Sequence, residues 1–206
     1  MAYLKPRHLL HLEYEEAAQA SLKSLPPEHF MEATPQATQR EITLASFALV
    51  RSHRPDFHYF DELLVQYPYG RPPVIRQVVP DNMVVVHAKG VRAETSFNLP
   101  VQPCGPYWVL EYVSKGSKRK DYDDSFRKYE RELKVPYYVL FYPDTEDLTL
   151  YRRGTRKYVS VKPNKGERYS IDELELELAL VDGHGGTEAT PGRAGTAPGR
   201  AGAANR

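Results

Sequence analysis

Two carboxylates in this chain stand where an acid is expensive. Glu111 lies inside YWVLEYV (107–113), a run that is otherwise aromatic and aliphatic and holds the only tryptophan, Trp108. Asp81 follows Pro80 and leads directly into NMVVV (82–86), where Val84, Val85 and Val86 read as a strand apolar on both faces. A carboxylate in a dry strand has to be paired, protonated or bound to a cation. Two of them on neighbouring strands make an oxygen-rich pocket suited to a hard divalent ion such as Mg²⁺, with Mn²⁺ as its alternative. The backbone carbonyl of Tyr112 can supply a further ligand. Such an ion polarises a phosphate and lowers the pKa of a bound water. An ammonium beside it would position that water or offset developing charge. The candidates are Lys115, just past the strand, and Lys120 or Lys128 from the segment that follows. Each residue also has a plainer reading. Asp81 can be a turn residue capping its strand, Glu111 a wet-face residue or the partner of a structural arginine, and the lysines a solvated surface.

The elements that must carry these residues are legible in outline. Residues 7–25 have apolar positions at loose helical spacing (Leu9, Leu12, Ala17, Leu22), and Pro26-Pro27 stops them. In ATPQATQREITLASFALVRSH, Thr34 can cap, Pro35 suits the first turn, and Ile42, Ala45, Phe47 and Leu49 suggest an apolar helical face ended by Pro55. DFHYFDELLVQYP (56–68) reads as extended chain, and a loop follows at Arg71-Pro72-Pro73. Residues 91–106, with Pro100, Pro103 and Pro106, read as a loop or lid. Tyr107–Val113 is a buried strand, and residues 119–134 a helix with an aromatic stripe at Tyr122, Phe126 and Tyr129. VPYYVLFYP (135–143) is a third buried strand, DLTLYRRGTRKYVSV a hairpin turning at Arg153-Gly154, and ELELELAL (173–180) a half-exposed or edge strand. The strand–helix–strand unit in the middle predicts two parallel strands joined by a right-handed crossover. The fold class is therefore α/β (or α+β) with a mixed central sheet. No internal repeat is present.

Composition narrows the classes further. The chain has 206 residues, 41% hydrophobic and 27% charged, enough for one domain with a real core. Its formal charge is +1, so any nucleic-acid surface must be local. The local candidate is the basic run Lys115, Lys118, Arg119, Lys120 after Glu111, which could hold DNA phosphates. One cysteine, Cys104, excludes a disulfide framework and an all-cysteine zinc site. The seven histidines show no metal-ligand spacing, Ser114 has no nucleophile elbow around it, and glycine-rich phosphate loops are absent. No apolar run approaches the roughly 20 residues of a membrane span, and acidic residues come too early for a signal peptide, so a cytoplasmic location is expected. Three regions follow: a helical extension over 1–24, a domain over 25–182, and a Gly/Ala/Pro-rich tail over 183–206. The tail has almost no large apolar residue and is expected to be disordered.

PDNMVVV, then WVLEYVSK, then a lysine-bearing helix and VPYYVLFYP together resemble the PD-(D/E)xK nuclease superfamily. Within it the chain looks like the restriction-endonuclease family abundant in cyanobacteria and planctomycetes, long catalogued as a domain of unknown function. The resemblance covers roughly residues 25 to 180 and rests on the order of these segments, because Pro-Asp or Glu-x-x-Ser alone is a weak signal. It implies a restriction-endonuclease-like mixed sheet flanked by helices and Mg²⁺-dependent hydrolysis of DNA phosphodiesters. By position, Asp81 matches the motif aspartate and Glu111 the motif acid. The superfamily pattern wants lysine two residues after that acid, and Val113 stands there. In this branch the lysine moves to the next helix, which points to Lys128, with Lys115 as the alternative. Members often carry an extra acid on the N-terminal helix, a role Glu41 could fill. Cutting two strands usually takes two sites, so a homodimer is expected. The competing reading is a nucleic-acid-binding or regulatory module on the same fold that kept the carboxylates and lost turnover.

Overall fold

The computed structural model describes residues 6–24, 34–113, 119–143, 145–181 and 186–191. The element order is α1 (Arg7–Ser24), α2 (Thr34–His53), β1 (Phe57–Asp61), β2 (Leu64–Tyr69), β3 (Val74–Val78), β4 (Asn82–Val86), β5 (Ser96–Asn98), β6 (Trp108–Tyr112), α3 (Arg119–Arg127), β7 (Tyr137–Tyr142), β8 (Asp147–Arg153), β9 (Tyr158–Ser160), β10 (Tyr169–Ile171), β11 (Leu176–Val181) and β12 (Gly186–Pro191). Short 3₁₀ turns follow β5 and β10, and a π-helical turn over Lys128–Leu133 continues α3. The class is mixed α/β, as expected. Among the described residues no helix is long and apolar enough to cross a membrane.

A six-stranded sheet in the order β1-β4-β6-β7-β8-β9 forms the centre. Only β6 and β7 run parallel within it, as a strand–helix–strand crossover requires, and the other neighbours are antiparallel. Strand alternation divides the buried residues between its two faces. Val84, Trp108, Leu110, Tyr112, Val139, Phe141 and Leu150 pack beneath α2 (Phe47, Val50) and the β10–β11 pair (Ile171, Leu176, Leu178). On the opposite face Met83, Val85, Val109, Tyr138 and Leu140 pack against Tyr129 and Phe126, and against a second sheet, β3-β2-β5. Asp81 and Glu111 have odd numbers like Met83 and Val109, so the pleat sends them to this second face.

Several local expectations changed. The extended stretch 56–68 is two strands, broken at Glu62, which takes a left-handed φ of 45°. The break lets β1 stay in the main sheet while β2 crosses into the smaller one. The loop over 91–106 contains β5, which pairs parallel with β2. On α2, Ala45 and Leu49 are exposed, and the buried side is Gln39, Thr43, Ser46, Phe47 and Val50. Polar groups sit there because they have partners: Tyr112 Oη lies 3.0 Å from Thr43 Oγ1 and 2.7 Å from Asn82 Oδ1. These bonds tie α2 to β4 and β6. Tyr112→Phe would leave the buried Thr43 and Asn82 groups short of a partner and is expected to cost about 1–3 kcal/mol. An unchanged urea midpoint would show that the bonds contribute nothing.

The tail also departs from expectation. Gly186–Pro191 pairs antiparallel with β11 in full register and packs against α2. β11 alternates its side chains and would otherwise present a bare edge, which a short run of Thr and Ala can cover. Residues 182–185 and 192–206, the remainder of the tail expected to be disordered, lie outside the described residues. The N-terminal extension is docked on the small sheet. Gln66 Nε2 donates to Tyr14 O (2.7 Å) and Gln77 Nε2 to Ala17 O (3.0 Å), while Thr95 Oγ1 donates to Glu15 (2.8 Å).

Candidate metal centre

Register brings the two acids together. The antiparallel β4–β6 ladder ends at Asn82 opposite Leu110, so one step further Asp81 faces Glu111. Opposite residues on adjacent strands share a face, and the carboxyls are close enough for the charge of Asp81 to act on Glu111. Both residues are half-buried. Asp81 Oδ2 accepts the Tyr112 N–H at 2.7 Å. Glu111 Oε1 accepts the Tyr129 hydroxyl at 2.6 Å. Burial raises the Glu111 pKa well above the ordinary carboxylate value, and the charge of Asp81 beside it adds to the rise. Burial also raises that of Asp81, against the opposing pull of the Tyr112 N–H. Both carboxyls therefore bind a proton more tightly in the folded chain than free carboxylates do.

The donor set fits a hard divalent cation. Val113 N–H bonds Phe141 O across the β6–β7 ladder, so the peptide groups of Tyr112 itself face the other flank. Tyr112 N–H is spent on Asp81 there, and strand geometry turns its C=O towards the same flank. Among the described residues no group of three or more His, Cys, Asp and Glu is arranged to hold a metal. A cation at Asp81 and Glu111 would complete its shell from backbone, water and substrate, as Mg²⁺ commonly does.

The lysines fall differently. Lys128 Nζ pairs with Asp124 Oδ2 at 2.8 Å, one helical turn back, and the same carboxyl binds Arg127. Among the described residues no ion pair or hydrogen bond joins Lys128 to Asp81 or Glu111. Lys115 and Lys118 lie outside the described residues, and Arg119 and Lys120 open α3. Among the described residues Arg40 of α2 acts on Asp81, and its charge favours the ionised form. Arg40 bonds Glu62 at 2.7 Å, and Glu62 N–H donates to Asp81 O at 3.1 Å, so the β1–β2 break and α2 meet at the motif aspartate. Glu41, the candidate extra acid, is exposed on α2.

Tyr129 and Arg40 are the two groups at the site that the sequence reading did not assign to it. Tyr129 looked like one member of an aromatic stripe. Phe126, three residues earlier, does behave so and packs edge-on against Tyr138, Tyr151 and Tyr158. What separates Tyr129 is the π turn that starts beside it, and no composition or spacing signal announces that turn. Among the other single-letter candidates, Cys104 is held above its usual thiol pKa by burial and its thiol lies 3.6 Å from Val86 O, which suits a packing role. His8 and His11 are exposed on α1.

The chain is similar to the crystal structure of "a putative nuclease belonging to DUF820" from Anabaena variabilis ATCC 29413, with 15% identity over 70% of this chain and 75% of that one and a TM-score of 0.48. No curated protein matches it. Residues 29–181, which contain the β4–β6 carboxylate pair, the π turn and both strands of the parallel crossover, match the family described as "Uma2: Putative restriction endonuclease". With three-quarters of its length inside that match, the chain belongs to the Uma2 restriction-endonuclease family.

Proposed function

We propose that this protein is a Mg²⁺-dependent endonuclease that hydrolyses DNA phosphodiester bonds. The observation that carries the reading is the convergence of Asp81 and Glu111 on one face of β4 and β6, within a family of nuclease type. Asp81, Glu111 and the Tyr112 carbonyl would hold the cation, with Mn²⁺ able to replace Mg²⁺. A bound cation would polarise the scissile phosphate and acidify a water. The chain's own groups do the rest. Tyr112 N–H fixes the Asp81 carboxyl, Tyr129 fixes that of Glu111, and Arg40 supplies positive charge on the α2 side. Lys115, Lys118, Arg119 and Lys120 would hold the flanking DNA phosphates just beyond β6. Lys115 or Lys128 would assist the attacking water. For Lys128 that requires release from Asp124 when substrate arrives. Two such sites in a cytoplasmic homodimer would cut both strands.

The test is relaxation and linearisation of supercoiled plasmid in Mg²⁺ or Mn²⁺. Wild type should cut, and Asp81→Ala and Glu111→Ala should not. Equal nicking by all three would remove the nuclease reading. A second reading has its own support. Val113 replaces the lysine of the superfamily pattern and Lys128 is engaged by Asp124, as a nucleic-acid-binding or regulatory module that had lost turnover would allow. Salt-dependent DNA binding without cleavage in any metal would favour it.

A further inference from the structure

We propose that Tyr129 is a positioning residue for the metal ligand Glu111: its hydroxyl holds one carboxylate oxygen so that the other stays turned towards Asp81 and the cation. The proposal rests on the reading of Asp81 and Glu111 as a metal site and deepens it.

The geometry is specific. Tyr129 is wholly buried, and its O–H donates to Glu111 Oε1 at 2.6 Å, a short O–H···O hydrogen bond. Its ring packs against Tyr138, with centroids 5.1 Å apart. The backbone that carries it is clamped. The Tyr129 carbonyl accepts the N–H of Val135 at 3.0 Å and also that of Lys134, which closes the turn in the left-handed conformation (φ 57°). Two further residues of the same π turn are anchored to other parts of the fold. Glu130 Oε1 accepts the Tyr158 N–H at 2.8 Å. Glu132, with its side chain 1% exposed, accepts Tyr67 Oη at 2.8 Å and Arg76 at 3.0 Å. One turn thus grips the β8–β9 hairpin, the small sheet and the candidate ligand, and leaves Tyr129 a single direction.

Single π turns recur at functional sites because the extra residue re-aims a side chain that a regular helix would send elsewhere. Here Tyr129 reaches the carboxylates while its neighbour Lys128 pairs with Asp124. Partners that hydrogen-bond a metal ligand fix its orientation, and losing one typically weakens metal binding about 10–100-fold. A tyrosine that merely needed an acceptor would show no such effect. Tyr137, which donates in the same way to Glu173 on the opposite face of the sheet, supplies that comparison.

The experiment is titration of the full chain with Mg²⁺ and with Mn²⁺ by calorimetry, with thermal melts of the metal-free protein alongside. Wild type should bind, Asp81→Asn should not, Tyr137→Phe should bind as wild type does, and Tyr129→Phe should bind about 10–100-fold more weakly. Wild-type affinity in Tyr129→Phe, with Asp81→Asn still inert, would overturn the proposal and leave the metal site standing. No binding by wild type would remove both. If Tyr129→Phe and the flexible, apolar Tyr129→Met both fail to fold, the tyrosine is a structural residue and the proposal is overturned.

Discussion

Asp81→Asn is expected to lower metal-dependent plasmid cleavage by at least about 10³-fold while leaving the metal-free chain no less stable than wild type. The loss follows from the chemistry. An amide oxygen is a weak ligand for a hard cation, and polarising the phosphate and activating water together contribute several kcal/mol, at about 1.4 kcal/mol per tenfold in rate. The retained stability follows from the crowding. Asp81 is one of two carboxyls whose affinity for protons is raised by burial and, at Glu111, by the charge of the other. The asparagine carbonyl can still accept the Tyr112 N–H, and its amide N–H₂ can donate to Glu111 without either group having to bind a proton. Loss of the favourable charge of Arg40 works in the opposite direction. It is smaller, because Arg40 is already bonded to Glu62. Cleavage rates and urea midpoints at pH 8 check both halves. Retained cleavage would show that Asp81 is no ligand. A midpoint loss above about 2 kcal/mol would mark it as a structural turn residue.

The second large effect is the pH dependence of the metal-free protein and its reversal by metal. Folding raises the pKa of Asp81 and Glu111, so the native chain binds these protons more tightly than the unfolded one. Their stabilising contribution is fully present below the ordinary carboxylate range. It is lost as pH rises through the raised values of the folded state. Depressed carboxylates such as Asp56, lowered by its bond to Arg54, act in the opposite sense at lower pH and do not obscure the trend. Thermal midpoints should therefore decline from mildly acidic towards alkaline pH without metal. Mg²⁺ replaces the protons, and at about 100 times its dissociation constant it should add about 2.7 kcal/mol. For a domain of this size that is roughly 5–10 °C. The increment should grow with pH and be absent in Glu111→Gln. A metal-induced shift that is the same at pH 6 and pH 8.5 would contradict the link between the cation and the protonated pair.

The parts of the site visible in one dimension are those with a strong local signal. An acid inside WVLEY and another at the head of NMVVV stand out because burying a charge is costly, and few sequences tolerate it without a reason. The parallel crossover between β6 and β7 was legible for a similar cause, since two wholly apolar runs separated by an amphipathic segment have few other ways to pair. Boundaries were less legible. β1 and β2 read as one strand because Glu62 carries no glycine or proline to announce its left-handed turn. The tail strand β12 was invisible because its pairing depends on the bare edge of β11, a property of another segment.

The sequence by itself determined the fold class, the two acids and the strands that carry them, because these depend on side-chain polarity against a fixed period along the chain. Only the tertiary structure decided what surrounds the acids. The β4–β6 register sets Asp81 across from Glu111, the π turn sends Tyr129 rather than Lys128 to the pair, and α2 brings Arg40 to Asp81. Those three outcomes depend on hydrogen-bond registers and helix packing between segments distant in the chain, and no periodicity within any one segment encodes them.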